Sequence, residues 1–136
     1  MVENTDKIFF AKSLNEKIKL FFGREYFKSR IIGWLLFFGI LFDIVNWSVL
    51  KIFLPPAGNY VILHYNVYFG VDSMGAARSA YILPFIGTIV LFVNVVLSFF
   101  FYTQKERVAS YVMLLTALMV QLSLLISAIS VIIINY

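Results

Sequence analysis

The chain has 136 residues, 62% hydrophobic, 18% aromatic and only 13% charged, where a soluble domain has roughly 45–50% apolar and 25% charged residues. That composition leaves room for one membrane bundle and no separate soluble domain. Cysteine is absent and His64 is the one histidine, which excludes disulfides, cysteine nucleophiles and a multi-histidine metal centre within one chain; the net charge of +4 sits beside an apolar run and interleaves with Glu16 and Glu25, which fits anionic lipid and not nucleic acid.

The first predicted element is a basic amphipathic helix over residues 8–27, within an N-terminal segment 1–30. Phe10, Leu14, Ile18, Phe21 and Phe22 recur at helical spacing, while Lys12, Glu16, Lys19 and Arg24 take the other faces. Such a helix suits the headgroup region of a bilayer; the alternative is that its apolar face packs on the ends of its own bundle. No cleavable leader pattern precedes the first span, so that span is expected to serve as the insertion signal.

An all-α membrane domain, a three-helix bundle with a partly extended outer loop, is expected over 31–136, with spans at Ile31–Leu54, Tyr81–Tyr102 and Val108–Ile134. Each exceeds the roughly 20 apolar residues that a helix needs to cross hydrocarbon. The first span ends at Pro55-Pro56, where the ring removes a donor and blocks the preceding turn. Near its midpoint lies Asp43, and an ionised carboxylate there costs at least about 2.5–3.5 kcal/mol. Gly39, Asp43 and Asn46 share one face of that helix. The second span carries Pro84, Gly87 and Asn94, and the third carries Gln121 near its centre.

Asp43, Asn46, Asn94 and Gln121 are therefore expected to form a polar cluster at mid-depth, joining the three helices by hydrogen bonds that lipid does not offer. The alternative is a proton or ion relay through Asp43 in an oligomeric transporter. Ala117, Gln121 and Ala128 make a close-packing stripe on the third span, which serves self-association and intramolecular packing equally.

Charge sets the expected orientation. Lys7, Lys12, Lys17, Lys19, Arg24, Lys28 and Arg30 precede the first span, and Lys105 and Arg107 lie between the second and third. Cytoplasmic flanks retain Lys and Arg, which puts the N-terminus and the 103–107 turn inside a plasma membrane and the 55–80 loop and Tyr136 outside.

The 55–80 loop is the most individual segment. Val61–Phe69 is β-branched and aromatic and favours extended backbone, and Gly70, Asp72, Ser73 and Gly75 supply turn chemistry. Its tyrosines Tyr60, Tyr65 and Tyr68, with Tyr81 beyond, fit an interfacial aromatic belt. His64, Asn66 and Asp72 are candidate binding residues at the outer surface, or else ties within the loop. No catalytic constellation, cofactor site or metal site is expected.

His64-Tyr65-Asn66, Gly70, Asp72, Gly75 and Pro84 resemble the His-Phe-Asn…Gly…Asp…Gly…Pro signature of the DUF1648 family of small bacterial membrane proteins, which includes SdpI-type immunity proteins. The lysine usual after the last glycine is missing, and Ala76, Ala77 and Arg78 stand there. The whole chain is similar to a group of uncharacterised three-span membrane proteins of Patescibacteria-type bacteria that carry a like LHYNVYFGVD segment. The resemblance implies a family architecture, a candidate site at His64, Asn66 and Asp72, and an immunity or receptor role as one alternative. The residues themselves point to a non-catalytic binding or assembly subunit acting through the loop and the amphipathic helix, as a homo-oligomer or within a larger membrane complex.

Overall fold

The computed structural model describes residues 25–56 and 58–136. The amphipathic helix expected over 8–27 lies almost wholly outside the described residues; within them is one short helix, α1 (Glu25–Lys28). Then come α2 (Arg30–Phe53), β1 (Tyr60–Asn66), β2 (Gly70–Ala76), a 3-10 turn (Ala77–Tyr81), α3 (Ile82–Thr103) and α4 (Arg107–Asn135). The three long helices fall within one or two residues of the expected spans. All are long and apolar enough to cross a membrane.

The expectation of an all-α fold needs one correction. The 55–80 loop is not merely extended: it closes into an antiparallel hairpin, with Tyr60 opposite Ala76 and Asn66 opposite Gly70. The β-branched and aromatic run supplies β1, and the turn explains the closure. Val67, Tyr68 and Phe69 form a three-residue loop in which the Asn66 side-chain oxygen accepts the Tyr68 N–H at 2.9 Å. Gly70 then takes φ +78°, the left-handed conformation that ends such loops and that glycine adopts without strain. Register shifts flank His64.

The helices pack unequally. α4 lies against both α2 and α3, whereas α2 and α3 touch each other much less. A tight reversal joins α3 to α4: Glu106 N–H reaches the Phe101 carbonyl at 3.0 Å and Lys105 N–H the Tyr102 carbonyl at 3.1 Å, with Lys105 at φ 67°. This is the Schellman arrangement, which satisfies the carbonyls that the end of α3 leaves free.

The interior divides into two clusters. At the hairpin end, Leu50, Ala80, Ala128, Val131 and Ile132 pack together. At the opposite end, Tyr26, Ile32 and Leu114 are buried among Leu35, Phe99 and Tyr102. The Tyr26 ring meets Phe27, Phe99 and Tyr102 edge-on. Its hydroxyl lies 3.0 Å from Ser98 Oγ, which is 2.8 Å from Ser110 Oγ, so three hydroxyls knit α1, α3 and α4. Burial pushes the Tyr26 phenol above its ordinary pKa, and the Ser98 contact offsets part of that shift.

Between these clusters Gly87 allows close approach of α3 and α4. A Cβ there would lie 3.0 Å from Gln121 Oε1 and 3.1 Å from Leu124 Cδ1. The outer surface of the bundle is strongly apolar: only 17–28% of the most apolar stretch of each long helix is buried within the protein.

Candidate functional site

Two groups of polar side chains stand out, one midway along the helices and one on the hairpin. Midway, Asp43 of α2 accepts a hydrogen bond on Oδ1 from Gln121 Nε2 of α4 at 3.1 Å. Thr88 Oγ1 of α3 stands 3.1 Å from each oxygen of the same carboxyl. Trp47, one turn along α2 from Asp43, donates its indole N–H to Thr88 Oγ1 at 3.1 Å. All three long helices thus meet at one carboxyl.

The expected four-residue cluster is only partly present. Asp43 and Gln121 are brought together. Asn94 is not among them: its amide donates to the Val90 carbonyl one turn back on its own helix, at 2.9 Å. A side chain that satisfies itself on its own backbone ties no helices together. Asn46 is wholly buried, yet neither polar atom of its amide has a partner, and Gln121 Oε1 is likewise unpaired.

Thr88 and Trp47 were not among the residues that the sequence singled out. The signal for Thr88 was present: a hydroxyl next to Gly87, one turn from Pro84, at the depth where Asp43 requires a partner. Trp47, four residues beyond Asp43, shares its face by the same helical spacing that linked Gly39 to Asp43.

On the hairpin, His64 Nδ1 and Asp72 Oδ1 lie 2.7 Å apart. Adjacent strands bring these two together, and both remain substantially exposed. Asn66, the third residue of the trio, is occupied in the turn through Tyr68. Among the described residues, no group of three or more histidine, aspartate or glutamate side chains gathers where a metal ion would bind.

Asn135, at the end of α4, ties the hairpin to the bundle by hydrogen bonds, beside the packing of Leu63 on the core. Its Oδ1 accepts the Ile62 N–H and its Nδ2 donates to the Ile62 carbonyl, both at 2.8 Å. The amide thereby pairs with β1 as a neighbouring strand would. Its sequence signal is slight: one amide closing a long apolar run. Below the hairpin, Leu63, His64 and Tyr65 overhang a groove of about 380 Å³ floored by Leu83, Ile126 and Val131. Beyond the strands the tip is bare. Val67, Tyr68 and Phe69 are 85%, 90% and 86% exposed.

In comparisons with known proteins, no family model, no curated protein and no solved structure matches this chain.

Proposed function

We propose that this chain is a multi-pass protein of a bacterial plasma membrane, acting without catalysis as a binding or assembly subunit. In this reading α2, α3 and α4 cross the bilayer. The basic N-terminal segment and the Lys105–Arg107 turn face the cytoplasm, and the hairpin faces out. The apolar outer surface of the three helices supports the spanning arrangement, and the uneven placement of Lys and Arg supports the orientation.

The observation that carries the binding role is the hairpin. An exposed apolar and aromatic tip of three consecutive residues is held on a base that Asn135 anchors to the bundle. Contiguous exposed apolar surface of this kind marks contact with a partner or with the membrane boundary, and a pre-formed strand pair lowers the ordering cost of binding. The His64–Asp72 pair next to the tip favours a second reading, an SdpI-like immunity or receptor protein that recognises a ligand through those two residues.

Photo-crosslinking from position 68 in native membranes tests the role. A discrete protein adduct that disappears when Phe69 is changed to Ser supports it; lipid adducts alone overturn it. Orientation is tested on single-cysteine variants, which the cysteine-free chain makes unambiguous. Tyr68→Cys is expected to react with an impermeant maleimide in intact cells, and Lys105→Cys only after permeabilisation. Reaction of both from the same side overturns the topology.

A further inference from the structure

We propose that Asp43 is a proton-exchanging carboxyl within the hydrocarbon layer, with Thr88 and Gln121 as the groups that serve it in both protonation states. This goes beyond the binding role and rests on the same bilayer-spanning arrangement.

The Thr88 hydroxyl has more acceptors in reach than it can serve at once. Thr88 Oγ1 has one hydrogen to donate and two lone pairs. The Trp47 indole fills one lone pair at 3.1 Å. Three acceptors stand within reach of the single hydrogen: the Pro84 carbonyl at 2.9 Å and both Asp43 oxygens at 3.1 Å. With Asp43 ionised, that hydrogen turns to the carboxylate, and Gln121 Nε2 supplies a second donor to Oδ1. With a proton on Oδ2, the carboxyl O–H donates into the remaining Thr88 lone pair, the Thr88 hydrogen turns to Pro84, and Gln121 still donates to Oδ1. Rotation of one hydroxyl therefore accommodates arrival or departure of the proton without moving the backbone. A purely structural tie requires only one of these arrangements.

A second, independent observation lies beside the first. Gln121, itself a partner of Asp43, has an unpaired buried Oε1, and Asn46, one turn along α2, has an unpaired buried amide. At hydrocarbon depth an unpaired polar atom is costly. Two acceptors and one amide donor are thus left open on Gln121, a direct partner of Asp43, and on Asn46, three residues along α2.

Among the described residues, no ion pair is formed with Asp43. On α2 the described cations are Arg30 at one end and Lys51 two turns beyond Asp43. α3 has no charged side chain, and α4 has none beyond Arg107 at its first position. Asp43 keeps part of its surface open where α2 and α3 make little contact, so a reagent dissolved in lipid reaches it.

A hydrophobic carbodiimide tests this on the full-length protein in neutral-lipid vesicles. The protonated carboxyl passes its proton to a carbodiimide nitrogen while its oxygen bonds the central carbon. The adduct rearranges to a stable N-acylurea, so the protein gains the mass of one reagent and loses no atoms. Labelling is expected at Asp43, located by peptide mass, and it declines as pH rises. Asp43→Asn abolishes it. Thr88→Val alters the pH profile of labelling, because the carboxyl loses its hydroxyl partner; Thr88→Ser restores the original profile.

Failure to label Asp43 in vesicles, a pH-independent yield, or a Thr88→Val profile identical to the parent overturns the proposal. Slowing by sodium but not by choline also overturns it, since the occupant is then a metal cation. Alkaline carbonate extraction separates the two readings. A chain released into water sinks the spanning arrangement, whereas a retained chain with unlabelled Asp43 sinks this inference alone.

Discussion

In the helices the wholly buried side chains include Asn46, Ser98, Ser110 and Gln121, while Trp34, Phe37, Ile44, Phe92, Ile126 and Ile133 point outward. In the hairpin only the base is sorted, with Val61 buried and Leu63 packed on the core, while the His64–Asp72 pair and the apolar Val67, Tyr68 and Phe69 share the same open surface. The bundle has the inside–outside distribution suited to a single apolar solvent. The hairpin has the mixture suited to a boundary. Where lipid surrounds the helices, apolar burial no longer drives them together, and close packing with internal hydrogen bonds takes its place. Substitutions inside the bundle should therefore cost most, the joint between bundle and hairpin less, and the hairpin surface least.

Tyr26→Ala carries the largest expected effect. It removes a wholly buried ring with three edge-on aromatic neighbours and the first hydroxyl of the Tyr26–Ser98–Ser110 chain. A loss of about 3–5 kcal/mol is expected for an aromatic-to-alanine change in a packed interior, read as a lowered unfolding midpoint in mixed micelles. Tyr26→Phe keeps the ring and should lose only about 1 kcal/mol. Equal costs for the two would mean that the hydroxyl chain, and not ring packing, holds that end.

Gly87→Ala comes next. The added methyl would lie 3.0 Å from Gln121 Oε1, 3.1 Å from Leu124 Cδ1 and 3.3 Å from Gln121 Nε2, so it presses on the one side chain that links α4 to Asp43. Overpacking of this kind costs roughly 1–3 kcal/mol. Gly39→Ala is the control: its methyl meets only Leu91 Cδ1, at 3.1 Å, and the end of a flexible leucine gives way. A Gly39 variant as damaged as the Gly87 variant would show that α2 and α3 depend on close approach as much as α3 and α4 do.

The two regions also differ in how far they were legible beforehand. Length and hydropathy determine a spanning helix almost alone, which is why the bounds of α2, α3 and α4 fall so near the expected ones. Asp43 and Gln121 were legible as a pair because both are polar at similar depth in apolar runs. Asn94 misled for the same reason: depth says nothing of rotation about the helix axis, and a neighbouring carbonyl on its own helix satisfied it. Thr88 escaped because a threonine in a span is ordinarily content with the carbonyl four residues back, as this one also is with Pro84. The hairpin was legible as extended chain but not as a pair of strands, since register depends on the Gly70 turn and on Asn135, 73 residues from its partner Ile62.

Asn135 is the joint between the regions, and its loss should separate their behaviour. Asn135→Leu leaves the Ile62 N–H and carbonyl without their partner. With two hydrogen bonds each worth about 0.5–1.5 kcal/mol, the hairpin should lose about 1–3 kcal/mol of local stability. Amide exchange at Ile62 should accelerate while exchange in the middle of α4 stays slow. Asn135→Asp retains the acceptor for the Ile62 N–H and should fall between. Equal acceleration in hairpin and helix would break the comparison, because the hairpin would then be part of the bundle's cooperative unit.

The smallest effect on stability is expected from the hairpin surface. The His64–Asp72 contact is short, but both side chains are exposed, at 67% and 43%, and exposed polar pairs of this kind contribute about 0.2–1 kcal/mol. A double-mutant cycle of His64→Gln and Asp72→Asn should return a coupling within that range. The same variants distinguish a structural contact from a recognition contact. If the pair serves only to fasten β1 to β2, crosslinking from position 68 should persist in both variants with the partner unchanged. If it takes part in recognition, the partner adduct should vanish while the unfolding midpoint hardly moves. A coupling well above that range would instead place this part of the hairpin with the bundle, as an element whose polar contacts are shielded from water.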